Sequence, residues 1–226
     1  MREVRHIFFD LDHTLWDYDR NAQETLSEIY FEINDQTVSL KKFIKTFYEV
    51  NEKLWHRYNH GQIERKHIRE ERFIQVFKKT GFDPSKAEES SEYFIENCSK
   101  KPHLFPYAKS TLDYLIKKYK LHIITNGFDD IQPRKLKSSG IDSYFEMIIT
   151  SESNGSRKPS PEIFQLAVDR AGTTKNQSVM IGDNPKVDIH GARDFGMRTI
   201  LFDPSGKRRS MADYSIQSLS ELINIL

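Results

Sequence analysis

Residues 4–14 of the chain read VRHIFFDLDHT, an apolar run that ends in two acids one residue apart. The part at 7–9 has no polar interruption, which is the pattern of a short strand buried on both faces of a sheet. Asp10 and Asp12 follow it directly. The stretch therefore predicts a strand over residues 4–10 of a parallel sheet, with its carboxylates at the edge where such sheets bind ligands.

Strands and helices alternate through the second half of the chain. Further strands are predicted from the apolar runs at 121–125, 147–150, 179–182 and 198–201. Helices are predicted near 107–119 and 129–139, from 161 onward, over 185–195 and over 218–225. This alternation predicts an α/β fold, in which a parallel sheet is covered by helices on both faces.

The segment 18–102 departs from that alternation. Its apolar residues recur at helical spacing, as at Leu26, Ile29, Tyr30 and Ile33. Polar breaks divide the segment at 34–36, 59–61 and 81–84. The pattern predicts a bundle of about four antiparallel helices. The chain is therefore predicted to hold a Rossmann-like core, residues 1–17 and 103–226, and an inserted helical domain, residues 18–102.

The composition argues against several classes of protein. The formal net charge is +1 over 226 residues, without the basic excess typical of nucleic-acid binding. No apolar stretch is long enough to cross a membrane, and the first apolar run is too short for a secretory signal, so we expect a cytoplasmic protein. The lone Cys98 cannot form an internal disulfide. The basic run 207–209 is predicted to be a solvated loop.

Polar side chains collect where the predicted strands end. They are Asp10, Asp12 and Thr14 after the first strand, Thr125, Asn126 and Gly127 after the second, Ser151, Arg157 and Lys158 after the third, and Asp183, Asn184 and Asp188 after the fourth. Because parallel strands end at one edge of a sheet, we expect these residues to converge there.

These groups suit phosphoryl transfer. Asp10, Asp12 and Asp183 would repel one another in a confined site, and a hard divalent cation such as Mg²⁺ would relieve that repulsion. A phosphate ester brings further negative charge, which Lys158 and the metal ion can neutralise. Thr125, Asn126 and the loop amides can donate hydrogen bonds to phosphoryl oxygens. The predicted partner is therefore a small phosphate ester.

Four stretches resemble, in order, the four signatures of the haloacid dehalogenase (HAD) superfamily. They are IFFDLDHTL at 7–15, ITNG at 124–127, KPSPEIF at 158–164 and GDNPKVDIHGA at 182–192. The inserted helical domain is similar to the cap domain of one class of that superfamily. Within it, VNEKLW at 50–55, with Tyr58 and 61–63, resembles the pyrimidine 5′-nucleotidase group.

The resemblance implies a role for each site residue. Asp10 would be the nucleophile that forms an aspartyl-phosphate, and Asp12 the general acid and base. Mg²⁺ would be held by Asp10, the main-chain carbonyl of Asp12 and Asp183. Lys158 would hold Asp10 and the phosphoryl group. The remaining implied roles are substrate binding by Thr14, Thr125, Asn126, Gly127 and Lys158, and support of the metal site by Asn184 and Asp188.

The expected activity is magnesium-dependent hydrolysis of a phosphomonoester, with a nucleoside 5′-monophosphate as the expected substrate. Sugar phosphates or other small metabolites are the alternative substrates, and a phosphomutase would need the same groups. A non-catalytic binding or regulatory protein and a 2-haloacid dehalogenase are the remaining alternatives. Dehalogenases of the superfamily typically lack an acid in the place of Asp12, which favours phosphate chemistry. The oligomeric state, monomer or homodimer, stays open.

Overall fold

The chain divides into two compact units. The computed structural model describes residues 3–33, 37–153 and 155–226. One unit, here called the core unit, comprises Met1–Tyr18 and Pro102–Leu226, and the other, the helical unit, comprises Asp19–Lys101. The polar break predicted at 34–36 lies outside the described residues.

The core unit is built on one parallel sheet. Its strands are β1 (His6–Phe9), β2 (Lys120–Ile124), β3 (Phe145–Ile149), β4 (Ser178–Gly182), β5 (Arg198–Phe202) and β6 (Tyr214–Ile216). They lie in the order β3-β2-β1-β4-β5-β6, and every neighbouring pair is parallel. The first five strands confirm the predicted runs. The sequence does not predict β6, because that strand has three residues, two of them exposed, and forms no apolar run.

The helical unit contains the four helices predicted for the insert. They are α1 (Tyr18–Ile33), α2 (Leu40–Asn59), α3 (Arg65–Thr80) and α4 (Ala87–Cys98). The N-cap Ser39 accepts a hydrogen bond from the Lys42 amide at the start of α2, and Gly81 ends α3 in the left-handed conformation. Buried aromatic rings from α2, α3 and α4 pack together at Phe43, Phe47, Phe73, Phe77 and Phe94.

Shorter helices connect the strands of the core unit. They are α5 (Ala108–Leu115), α6 (Gln132–Ser138), α7 (Pro161–Arg170) and α8 (Gly191–Phe195), and a last helix, α9 (Leu222–Ile225), follows β6. The helix predicted over 185–195 begins instead as a π-helical segment, Pro185–His190. The physical reason is that the Asn184 carbonyl accepts hydrogen bonds from the amides of both Asp188 and Ile189, at 3.0 and 3.2 Å.

The order of the strands locates the functional edge of the sheet. Successive strands run outward from β1 to β3 and then, after one crossover, from β4 to β6 on the other side. Because crossover connections are right-handed, the helices that connect strands in one half of the sheet lie on one face, and those of the other half lie on the opposite face. Helices α7 and α8 pack together on the same face. The reversal between β1 and β4 opens a crevice at the carboxyl ends of these strands. None of the helices among the described residues has the length and apolar character needed to span a membrane.

Two buried histidines pair across the centre of this sheet. His6 on β1 and His122 on β2 share a hydrogen bond of 2.9 Å between Nδ1 and Nε2, and the His122 ring stacks on Phe8. Burial is the largest cause that lowers the pKa of His122 to about 4, and the charge of His6 adds to it. Burial also lowers the pKa of His6. The native protein therefore keeps this pair neutral.

This pair makes stability depend on pH. Because the folded pKa of His122 lies below its ordinary value, the unfolded chain binds more protons, and stability is lost as the pH falls from about 6.5 to about 4. The change His122→Phe should remove that loss, which corresponds to about 3 kcal/mol. Urea unfolding across this pH range measures it. His190→Gln, at an exposed histidine, is the control, and parallel curves for wild type and His122→Phe would contradict the prediction.

Candidate active site

Asp10 lies directly after β1, at the point where the strand order reverses. Its amide donates a hydrogen bond of 2.8 Å to the Ile181 carbonyl on β4, which continues the sheet by one residue. The loop beyond it is tightly folded, because the Leu11 carbonyl accepts from the amides of residues 14, 15 and 16. The buried hydroxyl of Thr14 lies 3.5 Å from Oδ2 of Asp10. The Asp10 carboxylate is thereby fixed in the crevice.

Lys158 is a fully buried cation between two carboxylates. Its Nζ donates to Oδ1 of Asp10 at 2.7 Å, to Oδ1 of Asp188 at 2.6 Å and to the Ile124 carbonyl at 2.7 Å. Burial opposes its charge, but the two carboxylates outweigh burial and raise the pKa of Lys158 to about 12. All three ammonium hydrogens are used, so the lysine stays charged and holds Asp10 in one orientation.

Asn126 holds the main chain of Lys158. Its Nδ2 donates to the Lys158 carbonyl and its Oδ1 accepts from the Lys158 amide, both at 2.8 Å. This reciprocal pair joins the end of β2 to the loop that carries the lysine. The structure therefore places the Asn126 side chain against protein backbone, and its predicted contact with phosphoryl oxygens stays a prediction.

Three carboxylates form a cluster in the crevice. Asp10, Asp183 and Asp188 each offer an oxygen within 4.8 Å of the others. Burial is the largest cause that raises the pKa of Asp10 to about 8, and Asp188 and Asp183 add to it although Lys158 opposes the shift. Burial and the charge of Asp188 likewise raise the pKa of Asp183 to about 7, against the effect of Arg208. A hard cation would relieve this repulsion, so the residues present fit Mg²⁺.

The fourth predicted signature supports this cluster through its local geometry. Oδ1 of Asn184 accepts from the main-chain amides of residues 186 and 187. The main-chain amide of Asn184 donates to Oδ2 of Asp188 at 2.9 Å. A side chain at Gly182 would place Cβ 2.4 Å from Oδ2 of Asp188, so this position requires glycine. Asn184 is thus the N-cap of the segment Pro185–His190, and Asp188 is a buried partner of Lys158.

Arg208 is a site residue that the sequence analysis misses. The guanidinium donates to Oδ2 of Asp183 at 2.9 Å and to the Asp183 carbonyl. Its loop is anchored on the buried Asp203, which accepts from the Arg208 amide at 2.7 Å. The loop at 207–209 is exposed, as predicted, and Arg208 in addition pairs with Asp183. The available signal is Asp203 itself, an acid directly after β5.

Asp12 points to a different set of partners from the acid cluster. Nζ of Lys135 donates to its two oxygens at 2.6 and 2.8 Å, and Nε2 of Gln132 donates to Oδ2 at 3.0 Å. Burial works against ionisation of Asp12, but Lys135 and Gln132 outweigh it and hold its pKa below the ordinary value. Neither partner on α6 is predicted from the sequence.

Thr125 and Gly127 lie beside this second group. The Thr125 hydroxyl accepts from the Gly127 amide at 3.0 Å and from Nε2 of Gln132 at 2.7 Å. A Cβ on Gly127 would fall 2.3 Å from the Gln132 side chain, so glycine leaves the room that Gln132 occupies. Both residues thus contact the partners of Asp12, while their predicted roles toward substrate stay predictions.

The fold and the site together define a class of protein, an open, doubly wound α/β core with acids and a buried lysine at its switch point. The sequence model of the haloacid dehalogenase-like hydrolases matches residues 4–196. The chain belongs to the haloacid dehalogenase-like hydrolase family, which confirms the predicted family.

Known relatives match the chain along its whole length. The HAD-hydrolase YfnB of Bacillus subtilis is 30% identical over 234 residues, covering 100% of this chain and 97% of YfnB. The pyrimidine 5′-nucleotidase YjjG of Escherichia coli is 29% identical over 224 residues, covering 97% of this chain and 96% of YjjG. A magnesium-bound crystal structure of Bacillus subtilis YfnB has a TM-score of 0.91 at 24% identity, covering 99% of each chain. That structure confirms the predicted fold.

The acid cluster makes a prediction about metal binding. Asp183→Asn removes one of three carboxylates, so Mg²⁺ should bind at least about 10-fold more weakly. A ligand at 100 times its Kd stabilises a protein by about 2.7 kcal/mol, and a 10-fold loss of affinity should remove at least about half of this gain. Thermal unfolding with and without Mg²⁺ measures the effect. Asp194→Asn, at an exposed acid on α8, is the control. An unchanged response of Asp183→Asn to Mg²⁺ would contradict the assignment.

Proposed function

We propose that this protein is a magnesium-dependent phosphomonoester hydrolase that acts through an aspartyl-phosphate on Asp10. The observation that carries the proposal is the buried group of Asp10, Asp188 and Lys158, in which the ammonium lies 2.7 Å from Oδ1 of Asp10. Membership in the haloacid dehalogenase-like hydrolases and the match to a pyrimidine 5′-nucleotidase support it.

In the first step, the Asp10 carboxylate attacks phosphorus and the bond from phosphorus to the ester oxygen breaks. Lys158 keeps Asp10 oriented, which replaces a poorly oriented attacking water by a fixed nucleophile. Asp12 is ionised in the free site, so it first takes up a proton together with the substrate and then gives that proton to the departing oxygen. Mg²⁺, held by Asp10 and Asp183, would offset the charge of the phosphoryl group.

In the second step, Asp12 removes a proton from a water molecule, which attacks phosphorus as the bond to Asp10 breaks. Inorganic phosphate leaves, and Asp12 has regained the proton it lost. Asp12 keeps a partly exposed side chain, 24% accessible, so water can reach it. The buried lysine and the acid cluster are thus assigned to binding and nucleophilic attack, and Asp12 to proton transfer.

The nucleophile assignment has a direct test. Asp10→Asn keeps the shape of the side chain but removes the attacking charge, so kcat should fall by a factor of about 10⁴ or more. The fold should persist, as measured by circular dichroism. Rapid quenching with a phosphorus-labelled substrate should trap label on wild-type protein but not on the variant. Asp194→Asn should keep full activity. Undiminished Mg²⁺-dependent turnover in Asp10→Asn would remove the assignment.

We further propose that the substrate is a pyrimidine nucleoside 5′-monophosphate. The support is the full-length match to YjjG, together with the resemblance of residues 50–55 in the helical unit to the nucleotidase group. Because one fold serves many phosphate esters, the substrate requires its own measurement.

A substrate panel distinguishes the alternatives. With Mg²⁺ present, kcat/KM for pyrimidine nucleoside monophosphates should exceed that for sugar phosphates by about 10-fold or more, as expected where a few specific contacts contribute 1.4 kcal/mol or more. A preference for sugar phosphates would overturn the substrate proposal and leave the chemistry intact. Release of halide from 2-haloacids, with no phosphate released from any ester, would overturn both.

A further inference from the structure

Two side chains of α6 donate hydrogen bonds to the Asp12 carboxylate. Gln132 and Lys135 are three residues apart, so they lie on the same side of the helix. Lys135 donates to both oxygens of Asp12, and Gln132 donates to Oδ2. The carboxylate is thus held by three hydrogen bonds that originate from one helix.

Gln132 is itself fixed by its surroundings. It is fully buried, and its Nε2 also donates to the Thr125 hydroxyl at 2.7 Å. The absence of a side chain at Gly127 provides the space for it, because a Cβ there would overlap Gln132 at 2.3 Å. The donor to Oδ2 of Asp12 therefore cannot move without disturbing the end of β2.

Lys135 is fixed by aromatic rings. Its Nζ lies 4.6 Å from the centroid of the Trp16 ring and 6.0 Å from that of Tyr18, within the range of a cation–π interaction. Trp16 is completely buried, and the Lys135 side chain is only 8% accessible. A buried ammonium of this kind holds one position and does not sample solvent as surface lysines do.

The hydrogen bonds treat the two oxygens of Asp12 differently. A carboxylate has two oxygens with about four acceptor positions in all. Oδ2 accepts from both Lys135 and Gln132, whereas among the described residues Oδ1 accepts from Lys135 alone. Oδ1 is therefore the oxygen with an acceptor position left for a proton, while Oδ2 is saturated.

We propose that Lys135 and Gln132 are positioning residues that orient Asp12 so that Oδ1 carries the transferred proton in both steps. This inference rests on the function proposed above and adds to it the source of the orientation. The proton leaves Oδ1 for the ester oxygen in the first step and returns to Oδ1 from water in the second. Thr125 and Gly127 contribute to this orientation because they fix the position of Gln132.

The test exploits the leaving group. An alkyl phosphate needs a proton on its departing oxygen, whereas p-nitrophenyl phosphate does not, because p-nitrophenolate is stable as an anion. Lys135→Met should lower kcat/KM for a nucleoside monophosphate by about 10²-fold, the lower end of what general acid catalysis contributes. For p-nitrophenyl phosphate, kcat/KM should change by less than about 5-fold, as expected when the acid contributes little.

Three further variants complete the experiment. Lys137→Met, at an exposed lysine of the same helix, should behave as wild type. Gln132→Met, which keeps all charges, should shift the ratio of the two substrates in the same direction by a smaller factor, and it carries the test if Lys135→Met fails to fold. In an Asp12→Asn background, Lys135→Met should change the ratio no further, because the two residues act as a unit.

The outcomes separate this inference from the function on which it rests. Equal losses of kcat/KM with both substrates in Lys135→Met and Gln132→Met would mean that these hydrogen bonds to Asp12 are only structural, and would overturn the inference. A wild-type protein that hydrolyses neither phosphate ester would instead overturn the proposed function, and this inference with it.

Discussion

The buried ammonium of Lys158 between Asp10 and Asp188 is the interaction on which the site depends. An unpaired charge at this depth would be costly, and removal of one partner of a buried ion pair destabilises a protein by about 3–5 kcal/mol. Each component is therefore held from a different strand end. Asp10 follows β1, Asn126 after β2 holds the lysine backbone, and Gly182 at the end of β4 leaves room for Asp188. The strand ends thus position the charged groups, and the ion pair in turn holds these strand ends together.

The electrostatics of the crevice explain why a metal ion fits there. Three carboxylates, Asp10, Asp183 and Asp188, face two cations, Lys158 and Arg208. When all three carboxylates are ionised, the site carries a net negative charge and repels a phosphate dianion. A divalent cation reverses the sign of the site and so converts repulsion into attraction. Asp12 lies outside this balance because Lys135 neutralises it separately, so the proposed proton transfer would be separate from the proposed metal site.

The sequence predicts those parts of the structure that depend on local pattern. Apolar runs indicate the five longer strands, and the acids at their ends indicate the site, since parallel strands share one functional edge. The sequence pattern does not predict three residues that contact the acids of the site, namely Arg208, Gln132 and Lys135. Each lies in a loop or helix whose own pattern suits a surface, and its contact arises only when distant elements meet. The sequence does indicate such contacts indirectly at Gly127 and Gly182. A glycine that forms no turn often marks a place where another side chain approaches the backbone closely, here Gln132 and Asp188.

The central position of β1 has a consequence for folding during synthesis. His6 is paired with Lys120 on one side and Ser178 on the other, so the strand emerges from the ribosome long before either neighbour. Contacts of such high sequence separation form slowly. The helical unit is continuous in sequence and can assemble meanwhile from nearby contacts. Until β2 and β4 are made, the apolar residues 7–9 present an unpaired strand, the kind of nascent segment that aggregates or recruits chaperones.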